Sequence, residues 1–170
     1  MIKKALKKYL STLKKEQLEE QVMDLYQRFG DVRTFYNFIF NPKEDKLVGE
    51  AKFKISKEYF PPNKRRAKAR RSIAHKQIKN FLTLGVEPTL VADLMLYNIE
   101  IAQTYSADNR LIPDAFIKSI FKSFEQAVDY IIQNGLTSQF VVRILKVKEE
   151  AKFQRWNNSE KFEALLDKFE

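Results

Sequence analysis

Residues 81–94 read Phe81-Leu82-Thr83-Leu84-Gly85-Val86-Glu87-Pro88-Thr89-Leu90-Val91-Ala92-Asp93-Leu94. Just upstream, Ala74, Ile78, Phe81 and Leu82 fall on one face of a helix. Gly85 suits the left-handed conformation that closes such a helix, because it has no Cβ to clash. Pro88 suits the first turn of the next helix, where its missing N–H is not needed. At an offset of 50, Ile131-Ile132-Gln133-Asn134-Gly135-Leu136 repeats the pattern, and Phe140, Val141 and Ile144 answer Leu90, Val91 and Leu94. Phe29-Gly30-Asp31-Val32 is a candidate third copy. This unit predicts an all-α fold of about eight or nine helices packed as antiparallel αα-hairpins, in a bundle or a short helical-repeat stack. A chance likeness between any two helices joined by a glycine cap is the competing account of the repeat.

The periodicity extends in both directions. Ile2, Leu6, Tyr9, Leu10 and Leu13 form one stripe, and Leu18, Val22, Leu25, Tyr26 and Phe29 a second. Gly30 is expected to stop that second helix, with Asp31 capping an aromatic one that carries Phe35, Tyr36, Phe38, Ile39 and Phe40. Asn41-Pro42-Lys43-Glu44 reads as another helix start: a capping side chain, a proline, then an acid at the positive dipole end. That helix is expected to reach about Tyr59. Lys52-Phe53-Lys54-Ile55 alternates with period two, but a lone strand would have no partner.

Pro61-Pro62-Asn63 breaks the pattern, and residues 61–70 are expected to form an exposed basic linker within one all-helical domain spanning 1–170. The helix from Pro88 to about Ser106 is apolar nearly all round, as a central helix would be. Pro113 and Asp114 open a long amphipathic helix. Thr137 or Ser138 can cap the next, and Asn158 or Ser159 the last, which holds Phe162, Leu165, Leu166 and Phe169. Trp156 lies between these last two and is expected to plug the core.

Composition narrows the chemistry. Four glycines and five prolines in 170 residues are too few for the many turns of an all-β fold. With no cysteine there is no disulfide, thiolate metal site or thiol nucleophile. A single histidine, His75, removes the common structural zinc sites as well. No two glycines lie close enough for a phosphate loop, and no cofactor motif is present. No apolar run reaches signal-peptide or membrane-span length, so a cytoplasmic protein is expected.

The net charge of +9 is unevenly spread. Residues 61–80 hold eight Lys and Arg and no acid, whereas residues 81–142 hold three bases and seven acids. Lys64, Arg65, Arg66, Lys68, Arg70, Arg71, Lys76 and Lys79 are the candidate anion or nucleic-acid site. Cations before a helix N-terminus oppose its dipole, and a local rule broken this way hints at an external anion. The competing reading is a solvated loop or pairing with acids elsewhere.

Residues 1–15 hold six Lys opposite their apolar stripe, which suits an anionic surface or an ordinary docked helix. Glu16, Glu19, Glu20 and Asp24 cluster in sequence and read as an exposed acidic face. Asp93, Tyr97, Glu100 and Thr104 line one side of the central helix as a possible polar pocket; alternatively the two acids pair with Arg or Lys from a neighbour. His75, close to Arg71 and Lys76, is expected to stay neutral.

Several strings carry a likeness: Leu6-Lys7-Lys8-Tyr9-Leu10, Asp24-Leu25-Tyr26-Gln27-Arg28-Phe29, Phe40-Asn41-Pro42-Lys43-Glu44-Asp45-Lys46-Leu47, Ala51-Lys52-Phe53-Lys54-Ile55-Ser56-Lys57-Glu58-Tyr59-Phe60-Pro61 and Leu96-Tyr97-Asn98-Ile99-Glu100. Together they resemble an uncharacterised bacterial family, a domain of unknown function, over about residues 3–150. The resemblance implies a small intracellular bacterial protein and brings no catalytic residue or cofactor. The functional expectation is a non-enzymatic module that binds a protein partner, with nucleic-acid binding through residues 64–79 as the alternative.

Overall fold

The computed structural model describes residues 1–63, 65–109 and 111–166. Among these, nine helices and no strand are present. They divide into two compact units, Met1–Lys43 and Glu44–Glu170.

The first unit holds α1 (Ile2–Leu10), α2 (Lys15–Arg28) and α3 (Gly30–Phe40). Lys15 and Glu19 pair across one turn of α2, as do Asp24 and Arg28, so the acidic run serves its own helix. The junction of α2 and α3 departs from expectation. Phe29, extended at φ −112°, breaks the chain direction, and Gly30 is the first residue of α3 rather than a left-handed stop. Asp31 sits in the first turn and does not cap it. The proposed third copy of the glycine turn is therefore absent here.

The second unit opens with α4 (Glu44–Tyr59), which is helical through the 52–55 alternation. Asn41 closes α3 instead of capping α4, and the Glu44 carboxylate accepts from Glu87 N–H at 3.2 Å. Helices α5 (Arg71–Leu84) and α6 (Pro88–Ala107) form one hairpin, α7 (Asp114–Gln133) and α8 (Thr137–Phe153) a second. Their turns share one geometry. Gly85 and Gly135 take φ of 69° and 67°, Val86 N–H donates to Phe81 C=O at 3.2 Å, and Leu136 N–H donates to Ile131 C=O at 2.9 Å. This six-to-one bond is the Schellman closure, so the offset repeat reflects a shared turn. Leu136, not Thr137 or Ser138, stands at the cap of α8.

Helix α6 is the axis of this unit and packs against α4, α5, α7 and α8. Val91, Leu94, Leu96 and Ile99 are fully buried on its different sides, which is why its sequence lacks a polar face of ordinary width. Each such side chain contributes roughly 1.5–3 kcal/mol relative to exposure. Helix α9 (Ser159–Leu166) closes on α7 and α8. Phe162 stacks with Phe124 at 5.0 Å and meets Trp156 edge-on at 5.8 Å, so the tryptophan is core. Phe169 lies outside the described residues.

Candidate functional site

The described cations between 65 and 79 lie in different settings. Lys64 lies outside the described residues. Arg65, Arg66 and Lys68 are exposed, while the backbone beside them is tied down: Lys68 and Ala69 N–H both donate to Glu58 C=O at 3.0 and 2.9 Å. Arg70 grips the Glu58 carboxylate through Nε and Nη2, each at 2.8 Å. These hydrogen bonds hold the Glu58 carboxyl below its ordinary value against the opposing effect of burial. Lys76 is exposed on α5.

Arg71, the next residue, turns the other way. Its Nη1 donates to Tyr59 Oη at 2.9 Å and to Asn98 Oδ1 at 2.7 Å, and its Nη2 to Ser123 Oγ at 2.8 Å. One guanidinium thus joins α4, α5, α6 and α7. Burial raises the Tyr59 hydroxyl pKa, with Arg71 opposing the shift. Among the described residues Arg71 forms no ion pair, and its Nε–H and the Nδ2 of fully buried Asn98 find no acceptor.

Ser123 continues the cluster outward. Its Oγ donates to Ser119 C=O at 3.2 Å and lies 3.4 Å from His75 Nε2. Beyond it opens a cavity of about 590 Å³ between α5 and α7, with Met95 of α6 in its wall. Its polar lining is His75, Lys79, Ser119, Lys122, Ser123 and Gln126, and no carboxylate of the described residues lines it. Partial burial lowers the His75 pKa, and Arg71 and Lys122 lower it further, so the ring is neutral at neutral pH.

The residues Asp93, Tyr97, Glu100 and Thr104 are held elsewhere. Arg143 of α8 donates to Asp93 Oδ1 at 2.7 Å and to Glu100 through Nε and Nη2, each at 2.8 Å. Lys52 of α4 pairs with Asp93 at 2.6 Å and sits 5.2 Å from the Tyr97 ring centroid. Burial works against ionised Asp93, but the bonds and charges of Lys52 and Arg143 outweigh it and the carboxyl lies below its ordinary value. Thr104 Oγ1 merely back-bonds to Glu100 C=O at 3.0 Å. The two acids are thus engaged by bases from neighbouring helices.

Sequence reasoning missed Asn98, Ser119, Lys122, Ser123 and Arg143. Ser119 and Ser123 stand four apart beside the apolar stripe of α7, a faint signal of a polar notch. Nothing local marks Arg143 or Asn98.

The first unit presents a different feature. No residue of α1, α2 or α3 is buried. Leu6, Tyr9, Met23, Leu25, Phe29 and Phe40 are all more than 40% exposed.

The fold defines an all-helical protein in which no described helix is long and apolar enough to cross a membrane. The chain belongs to the family of unknown function DUF6155, whose model matches residues 1–170, beyond the span of the resemblance read from the strings above. No curated protein and no solved structure matches it significantly.

Proposed function

We propose that this protein is a non-enzymatic interaction module whose α1–α3 unit docks a protein partner. The observation that carries the reading is the absence of any fully buried residue in α1, α2 and α3, where Leu10, Leu18, Tyr26 and Tyr36 are half-buried and Leu6, Tyr9, Val22, Leu25 and Phe40 are exposed. Amphipathic helices gain most of their stability by burying that stripe. A partner supplying an apolar centre would provide the burial. Lys3, Lys4, Lys7 and Lys8 lie opposite the stripe of α1 with no acid among them, so the partner's margin is acidic.

Photo-crosslinking in the source cells tests this. A photoreactive residue placed at Leu25 or Phe40 is expected to trap one discrete protein species, and one placed at exposed Lys146 is not. No discrete adduct at Leu25 and Phe40 overturns the reading. Adducts only with a second copy of the chain replace the partner with self-association.

Nucleic-acid binding is the second reading. Its support is that Arg65, Arg66 and Lys68 are exposed, free of ion pairs among the described residues, and line a concavity of about 400 Å³ with Lys57 and Arg70. Against it, Glu58 already neutralises Arg70, and Arg71 serves the interior. Three phosphate contacts would give a log–log salt slope of roughly −3 in anisotropy titrations. Changing Arg65, Arg66 and Lys68 to Ala is expected to flatten that slope if the reading holds.

A further inference from the structure

The cavity between α5 and α7 has a chemistry of its own, independent of α1–α3. It lies within the second unit and is built by side chains far apart in sequence. His75, Lys79 and Lys122 approach it from two helices, and Ser119 and Ser123 add hydroxyls. Neither lysine has an ion-pair partner among the described residues. Behind Ser123 stands Arg71, a third cation without a carboxylate, bound only to neutral groups. The buried cluster has unpaired donors, Arg71 Nε–H and Asn98 Nδ2, and no unpaired acceptor. Interior positive charge is normally matched by a nearby carboxylate, as Arg143 is by Asp93 and Glu100. Here Lys79 and Lys122 face a cavity instead, with Arg71 one hydrogen bond behind its Ser123 lining.

The rest of the lining is apolar. Ile78 and Met95 are nearly buried beneath it, whereas Leu82 is 47% exposed at its edge. A volume of about 590 Å³ is in the ordinary range for small-molecule sites. Inorganic phosphate alone would leave that lining in water. A ligand with a doubly charged oxyanion at the lysines and an apolar body on Ile78, Leu82 and Met95 uses both halves.

We propose that this cavity binds a small, soluble organic phosphate monoester. Lys79 and Lys122 contact the phosphoryl oxygens, the Ser119 hydroxyl donates to a third, and Arg71 adds its field through Ser123, whose own O–H is held by Ser119 C=O. An oligonucleotide would also offer phosphates, but it would present its backbone rather than an apolar body to the Leu82 wall. His75 lines the cavity with its Nε2 3.4 Å from Ser123 Oγ and is the chain's single histidine, so its ring resonances report on this site alone.

The experiment is a titration of the full chain followed through the His75 ring protons by NMR at low salt. The probes are phenyl phosphate, inorganic phosphate, phenol, a short oligonucleotide and vesicles bearing phosphatidic acid. Phenyl phosphate is expected to shift the His75 signals saturably, at lower concentration than inorganic phosphate, with no response to phenol. The bound dianion is also expected to raise the His75 pKa, since Arg71 and Lys122 act on the ring, Lys79 lines the same cavity, and no carboxylate of the described residues lines it.

Lys79→Ala and Lys122→Ala are each expected to weaken phenyl phosphate about tenfold or more, and Lys122→Arg to restore much of it. Both lysines are exposed, and an unchanged urea midpoint verifies that the fold is intact. The proposal is overturned by any of four results. These are no saturable shift, the same saturation in the double alanine variant, equal saturation by phosphate and phenyl phosphate, or a response confined to oligonucleotide or vesicles.

Discussion

Arg70 and Arg71 are adjacent arginines with opposite fates. Arg70 closes a bidentate pair on Glu58, whose side chain is 12% exposed. Arg71 bonds to Tyr59, Asn98 and Ser123 and ties four helices together. Arg143 presents a third case, clamping Asp93 and Glu100 seven residues apart on α6 while Lys52 holds Asp93 from α4. Arg143→Ala would leave Asp93 with Lys52 alone and Glu100 without an ion-pair partner among the described residues. Because all three side chains are only about a quarter to a third exposed, the expected loss is about 1–3 kcal/mol, below that of a fully buried pair. Urea denaturation at neutral pH measures it.

The sign with pH follows from Asp93, whose folded pKa lies below its unfolded one. Its contribution is complete above the ordinary carboxylate pKa and is lost as pH falls through the lower folded value. Stability of the parent chain is therefore expected to fall more steeply than that of Arg143→Ala across this acid window. Parallel profiles for the two would refute the coupling.

At the scale of the helix, the glycines divide by backbone conformation. Gly85 and Gly135 occupy the left-handed region, where an L side chain is strained even though neither has an atom within 4 Å of the added Cβ. Gly49 lies inside α4 with ordinary helical backbone and equally open space. Gly135→Ala is expected to cost about 1 kcal/mol. Gly49→Ala is expected to stabilise by about 0.5–1 kcal/mol, because it removes chain entropy and meets nothing. Opposite shifts of the urea midpoint check the pair, and a stabilising Gly135→Ala would show that the turn does not need its left-handed residue.

On the scale of the whole chain, the two units differ in how they hold themselves together. The unit built on α6 buries Phe81, Phe124 and Phe162 completely, while α1, α2 and α3 bury their apolar residues at most partly. Local opening free energies track buried apolar contact. Amide hydrogen exchange is therefore expected to be fastest in α1–α3 and slowest in α6 and α7 of the free protein. Added partner would protect α1–α3 selectively. Equal protection of α2 and α6 in the free chain would contradict this picture.

Sequence alone determined the helical class, the limits of α4, α6 and α7 to within a residue or two, and the shared glycine turns. All of these depend on neighbours within about five residues along the chain, through side-chain periodicity, proline's missing donor and glycine's tolerance of positive φ. It also showed that Asp93 and Glu100 share a face. It misread Gly30, because an extended Phe29 breaks a helix as effectively as a left-handed glycine does.

Only the tertiary structure decided which cations are free. Arg70 meets Glu58 across 12 residues, His75 meets Ser123 across 48, and Arg143 meets Asp93 across 50. Those encounters arise from the packing of α4, α5, α7 and α8 on α6. Ion pairing and cavity lining depend on distance in space, which the order of residues along one helix does not encode.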